Sequence, residues 1–201
     1  IKEGIEDIEW KSILFQIVFG LAIAQKEYNF VHNDLHSDNI MFKKTVVEYK
    51  YFIYKNKAYK IPTFGKETKV IDFARSIIKI DNKTYFSDVF DKEGDAGGQY
   101  TNNLVKSFRK INYNFDLARL ATTIIDFFDE DTDLFDLMIK WTTYKKNKNF
   151  NELDDNFDLY VSICKNACNS IPKKQIEDNI FKEFIIDINE IPSNQLIYIY
   201  N

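Results

Sequence analysis

From Trp10 the apolar positions Ile13, Leu14, Ile17, Val18, Leu21 and Ala24 recur at three- and four-residue spacing, which lines one face of an α-helix. The spacing predicts a core helix of about four turns that fades near Tyr28 to Phe30. The polar stretch VHNDLHSDNI, residues 31–40, therefore falls in the connection after that helix, and IMF begins a strand. Residues 45–61 are rich in β-branched and aromatic side chains around a KNK turn and predict a β-hairpin. Pro62 and Gly65 mark a loop before KVIDF, a short apolar strand ending on an acidic residue. Residues 81–114 are polar, aperiodic and contain Gly94, Gly97 and Gly98, and are expected to form a long, partly mobile loop. Helical spacing returns at 115–128 through Leu117, Leu120, Ile124 and Phe127. LFDLMIKWTTY, NFDLYVSICKNAC and IEDNIFKEFII predict further amphipathic helices. The order gives an α+β class, an α-rich lobe with a small β element, and no internal repeat.

At 201 residues, with 45% hydrophobic, 16% aromatic and 29% charged positions, the chain suits one globular domain, residues 1–201, and argues against disorder. A net charge of -4 supplies no electrostatic footprint for nucleic acid. The two cysteines, Cys164 and Cys168, read as helix-face thiols in a reducing compartment, since their spacing makes neither a disulfide framework nor a zinc site. No apolar run reaches the roughly 20 residues that span a bilayer, so an intracellular, membrane-free protein is expected. Trp10 and Trp141 read as packing residues, and Lys145, Lys146 and Lys148 as a solvated helix end. The sequence begins at Ile1, close to a helical pattern, which suggests a missing N-terminal part. The 19 Asn among many Lys, Ile, Tyr and Phe reflect AT-rich codons more than chemistry.

The candidate chemistry lies in an Asp placed five residues before an Asn, on a loop preceded by His, with a later strand delivering a second Asp beside Phe. His32, Asp34, Asn39 and Asp72-Phe73 fill that pattern. In phosphoryl transfer one Asp takes the substrate hydroxyl proton, while an Asn and a second Asp hold a magnesium ion on the nucleotide phosphates. Transferring phosphate carries charge that metal meets, and the metal needs hard oxygen ligands. For Asp34, Asn39 and Asp72 the plainer alternative is helix capping or an Asx-turn, which these residue types favour; their joint spacing makes it the weaker one.

The chain resembles the C-lobe of the protein-kinase-like superfamily, most of all the divergent kinases of large DNA viruses. Residues 31–42 and 60–76 carry the match, and FDLAR at 115–119 resembles the helix whose Asp braces the catalytic loop. The resemblance implies a mainly α-helical lobe with small hairpins near the catalytic loop, a β-hairpin insert at 43–69 and an activation-segment-like loop at 73–114. It implies ATP as co-substrate, Mg2+, and a protein substrate phosphorylated on serine or threonine. Position by position, Asp34 resembles the base, Asn39 and Asp72 the metal ligands, and His36 a phosphate-contacting residue in a place where protein kinases usually carry Lys. His32, Phe73 and Asp116 resemble structural supports.

Departures accompany the match. Asn33 replaces the usual Arg, which argues against control by a phosphate on the activation segment. Ala74 replaces a glycine that would reach positive φ easily, and no APE-like segment separates Asp72 from Asp116. No glycine-rich strand loop and no strand Lys with a helix Glu partner precede residue 31. The N-terminal lobe would then be supplied in cis or by a partner chain. The complete protein is expected to be an enzyme, acting in the cytoplasm of a host cell or in a virion if viral; the 201-residue chain alone is not. Two alternatives stay open: a non-catalytic kinase-like module, and a small-molecule phosphotransferase of the aminoglycoside or choline type. Against the latter stand the hairpin insert and the 44 positions between Asp72 and Asp116.

Overall fold

A computed structural model describes residues 4–100, 111–145 and 148–200. The first periodic segment forms α1 (Asp7–Tyr28), longer than the apolar spacing alone implied because it starts on acidic residues, Asp7 and Glu9, that suit a helix N-terminus. Its buried positions, among them Trp10, Phe15, Val18 and Phe19, run round more than one face, so α1 is the central rod of the core. It stops at Asn29, which takes the left-handed conformation (φ 47°) and donates its N–H to Gln25.

After a 3-10 turn at Ser37–Asn39, β1 (Ile40–Lys44) pairs antiparallel with β4 (Lys66–Val70), register Ile40 to Val70. Nested between them lies the hairpin β2 (Tyr49–Tyr54) and β3 (Lys57–Pro62). It is larger than an isolated insert, because β9 (Ile185–Ile186) pairs with β3 and β10 (Ile197–Tyr200) runs parallel to β2, giving the order β10-β2-β3-β9. Phe15 of α1 meets Phe52, Tyr59, Phe181 and Phe184, with ring centroids 4.9–6.4 Å apart, and so joins helix to sheet.

Several sequence expectations change here. The described part of the 73–114 segment is folded: β5 (Ile78–Ile80) and β6 (Lys83–Tyr85) form a hairpin whose turn residues, Asp81 and Asn82, both have positive φ. Short 3-10 turns follow at Asp88–Phe90 and Gly97–Tyr100, and Ile77, Phe90, Ala96 and Tyr100 make a small core of their own. Gly94 is needed there, since a Cβ would stand 2.5 Å from the Val89 carbonyl oxygen. The rest of that segment, 101–110, lies outside the described residues.

The remaining helices are α2 (Phe115–Ile124), α3 (Asp133–Thr142), α4 (Phe157–Asn166) and the single turn α5 (Pro172–Gln175). IEDNIFKEFII does not form an amphipathic α-helix. It makes a 3-10 segment at Asn179–Phe184 capped by Asp178, in which Phe181 and Phe184, three apart, point into the core as that tighter period allows. Cys168 lies beyond the end of α4, so the two thiols do not share a helix face. Lys145 and Lys148 sit on a small pair, β7 (Thr143–Lys145) and β8 (Lys148–Asn149), instead of a helix end; Lys146 lies outside the described residues. Trp10 and Trp141 are buried, the latter donating its indole N–H to Gln175 at 3.0 Å. The architecture is thus mixed helix and small sheets, with strands taking a larger share than a mainly helical lobe implies. Among the described residues no helix is long and apolar enough to cross a membrane.

Candidate active site

The loop 31–39 is tied down at both ends by backbone pairing. Val31 exchanges both backbone hydrogen bonds with Ile77, and the Asn39 carbonyl accepts from the Ile71 N–H at 3.0 Å. The ends of β1 and β4 therefore bring Asn39 beside the Ile71-Asp72 step, although 33 positions separate Asn39 from Asp72.

Beneath the loop stands Asp116 in the first turn of α2, fully buried. Its carboxylate accepts the His32 N–H at 3.0 and 3.1 Å and the Asn33 N–H at 3.0 Å. Burial lifts this carboxyl above the ordinary aspartate range, against the opposing pull of the nearby His32 and of those two N–H donors. His32 is also fully buried; its Nε2 donates to the Ile71 carbonyl at 2.9 Å, and its ring lies 5.4 Å from that of Phe73. Phe73 itself is half-exposed, packs near Phe30, and borders a largely apolar groove of about 290 Å³ with Gly20, Leu21 and Val70.

The Asn39 amide is oriented by two contacts: its nitrogen donates to the Asp34 carbonyl at 2.8 Å and to His36 Nε2 at 3.1 Å. Both amide hydrogens are then used, and Oδ1 is left as the acceptor end. His36 Nδ1 lies 3.3 Å from the Asp38 N–H at the start of the 3-10 turn and 4.0 Å from the Asp38 carboxylate. Asp72 has positive φ (61°), is exposed, and accepts one bond from the Ala74 N–H. The oxygen ends of Asn39 and Asp72 are hard donors of the kind a divalent cation on phosphate oxygens requires. Among the described residues no cluster of three or more His, Cys, Asp or Glu offers an all-protein metal site, so any ion held here would complete its shell with phosphate and water oxygens.

No protein-family model matches the chain. Mouse serine/threonine-protein kinase haspin is 34% identical over 106 residues, which cover 52% of this chain and 14% of that protein. The Acanthamoeba polyphaga mimivirus chain named "Putative serine/threonine-protein kinase" is 37% identical over 131 residues, 61% of this chain and 30% of the relative. Over these stretches the chain is similar to serine/threonine-protein kinases, viral ones among them. Its relatives include plant as well as viral sequences, since the haspin homolog of Arabidopsis thaliana is 37% identical over 81 residues, 40% of this chain and 14% of that protein. The matched stretch thus spans well under half the length of each of these relatives.

Two features of this loop were not foreseen in the sequence. Asn33, whose left-handed backbone (φ 62°) an Asn tolerates, is a buried hub: its amide nitrogen donates to the Arg75 carbonyl at 3.1 Å, and its oxygen accepts from Tyr100 at 2.6 Å and Gln99 at 3.3 Å. The loop is thereby fastened to the 3-10 turn at 97–100 through uncharged groups. The second feature is Tyr160 on α4, whose hydroxyl donates to Asp34 Oδ1 at 2.6 Å. Nothing local marks Tyr160 in the sequence, because 126 positions separate it from its partner.

Proposed function

We propose that the protein carrying this chain transfers the γ-phosphoryl group of ATP to a serine or threonine hydroxyl of a protein, with this chain as the C-lobe of the kinase. Asp34 is the base that accepts the hydroxyl proton, and Asn39 and Asp72 would hold a magnesium ion on the nucleotide. The ion would neutralise charge on the phosphates. His36 lies beside Asn39 and is read as a phosphate contact, while His32, Phe73 and Asp116 hold the loop's shape.

The observation that carries the reading is the interlock of the three candidate groups. One amide, that of Asn39, is fixed by the Asp34 carbonyl, while its own carbonyl is fixed by the residue before Asp72. Such a loop holds its polar side chains before any ligand arrives, which is what preorganised catalysis requires. The sequence carries no glycine-rich strand loop ahead of residue 31, so the parts that cover the phosphates would come from residues outside this sequence or from a partner chain.

The test is ligand-linked stability of the complete protein. Mg-ATP at a hundredfold excess over its dissociation constant should stabilise it by about 2.7 kcal/mol, and Asp72→Asn should remove the magnesium-dependent part of that gain. A melting temperature indifferent to Mg-ATP would favour a non-catalytic kinase-like module instead.

A further inference from the structure

Resting on the kinase reading of Asp34, we propose that Tyr160 is a positioning residue for the base: its phenol holds Oδ1 of Asp34, so that Oδ2 is the oxygen presented to the substrate hydroxyl.

The two carboxylate oxygens have different surroundings. Oδ1 takes the Tyr160 O–H at 2.6 Å. Among the described residues the charged partner of Oδ2 is the Arg75 Nε, at 3.8 Å, an ion-pair separation too long for a hydrogen bond. A phenol has a single proton to give, and here it is given to Asp34. Left unheld, a carboxylate on a loop can rotate and offer either oxygen; with one oxygen engaged, the lone pairs of the other are aimed. The Asp34 side chain is 18% exposed, so an approaching hydroxyl can still reach it.

The ring that carries this hydroxyl is itself fixed. The guanidinium carbons of Arg119 and Arg75 lie 4.8 and 5.2 Å from its centroid, and Phe157 stacks at 5.9 Å. Arg119 is anchored in turn by Thr122 Oγ1 at 3.0 Å and by Asp155 at 3.1 Å. Arg119 of α2, Arg75 of the loop after β4 and Phe157 of the ring's own helix thus hold the ring, and the ring's hydroxyl holds the base. Burial, together with the bond to Asp34, raises the Tyr160 phenol above its ordinary value against the two lowering contributions of Arg119, so it stays a donor at neutral pH. In the step this arrangement serves, the substrate proton passes to Oδ2, the substrate oxygen bonds to the γ-phosphorus, and ADP leaves with the electrons of the broken P–O bond.

Tyr160→Phe in the complete protein keeps the ring between the two arginines and removes only the hydroxyl. We expect kcat to fall about tenfold or more, the scale of a lost hydrogen bond to a charged group. KM for ATP and for peptide, and the melting temperature, should stay at their unmutated values, which separates positioning from a structural role. A kcat equal to that of the unmutated protein overturns the proposal. So does a faster variant, which would mean that the phenol blocks the base. An independent readout is the titration of the Tyr160 ring by NMR, assigned through its absence in Tyr160→Phe. It should move to lower pH in Asp34→Asn, and an unmoved titration overturns the contact. If the unmutated protein transfers no phosphate at all, the kinase reading fails first, a result distinct from an active protein indifferent to Tyr160→Phe.

Discussion

Replacing Asp116 by Ala should unfasten the loop that carries Asp34. The substitution removes the acceptor for two backbone N–H groups, those of His32 and Asn33, both fully buried residues. Each orphaned buried donor costs about 1–3 kcal/mol. Removing a buried charge returns part of that cost, because burial already lifts the Asp116 carboxyl above its ordinary range. The net loss should be about 2–4 kcal/mol, and Asp116→Asn, which keeps one carbonyl acceptor, should lose less. For a domain of this size about 2–4 °C of melting temperature accompanies each kcal/mol, so the Ala variant should melt roughly 5–15 °C lower. Urea unfolding gives the free energy, and amide hydrogen exchange locates the effect, since the amides of His32 and Asn33 should lose protection before those of α1. A loss under about 1 kcal/mol, with both amides still protected, would refute the claim that this carboxylate holds the loop.

Other consequences are quicker to check. Burial pushes the Cys164 thiol up to about 11 from the ordinary 9.0, despite its hydrogen bond with Tyr100. Its thiolate at pH 8 should therefore be about a hundredfold scarcer than that of an ordinary thiol, and maleimide should label the exposed Cys168 first; equal rates by mass spectrometry would contradict this. Glu67 is held below the usual glutamate range, chiefly by its hydrogen bond from Lys50 with help from Lys69, against burial. Its stabilisation is present above the ordinary value of 4.5 and is lost as pH falls through the lowered folded value. Lys50→Met should thus lower the urea midpoint at pH 7 by an amount worth under about 1 kcal/mol, with the difference shrinking toward pH 3; a difference independent of pH would count against the pair.

What could be seen in the sequence was what is local. The period of α1 and the Asp34-to-Asn39 spacing lie within single elements, and so does the β-branched hairpin, so each announces itself without help from the fold. The Asp116 contact was accessible because FDLAR resembles a helix already associated with such a loop. What stayed hidden depends on chain reversals that no short window contains. Strand β10 finds β2 from more than 140 positions away, and the pairing is parallel, so no turn signal marks it. Tyr160 sits in an amphipathic pattern that reads as packing alone, and only the approach of α4 to the loop turns its hydroxyl toward Asp34. Asn33 was legible as a substitution for arginine, but its alternative employment, tying Arg75, Gln99 and Tyr100 together, required the 97–100 turn to be in place. The glycines at 94, 97 and 98 suggested looseness, whereas Gly94 serves close packing against Val89.

The central claim is that Asp34 is the base of a phosphoryl transfer whose loop this chain preorganises. It is tested most directly by following labelled γ-phosphate from ATP to a serine-containing peptide with the complete protein and with Asp34→Asn, which keeps the size of the side chain and its fold. Transfer by the unmutated protein and a loss of about 10²–10⁴-fold or more in the variant, at equal melting temperature, is the predicted result. Equal rates in the two proteins would contradict the assignment.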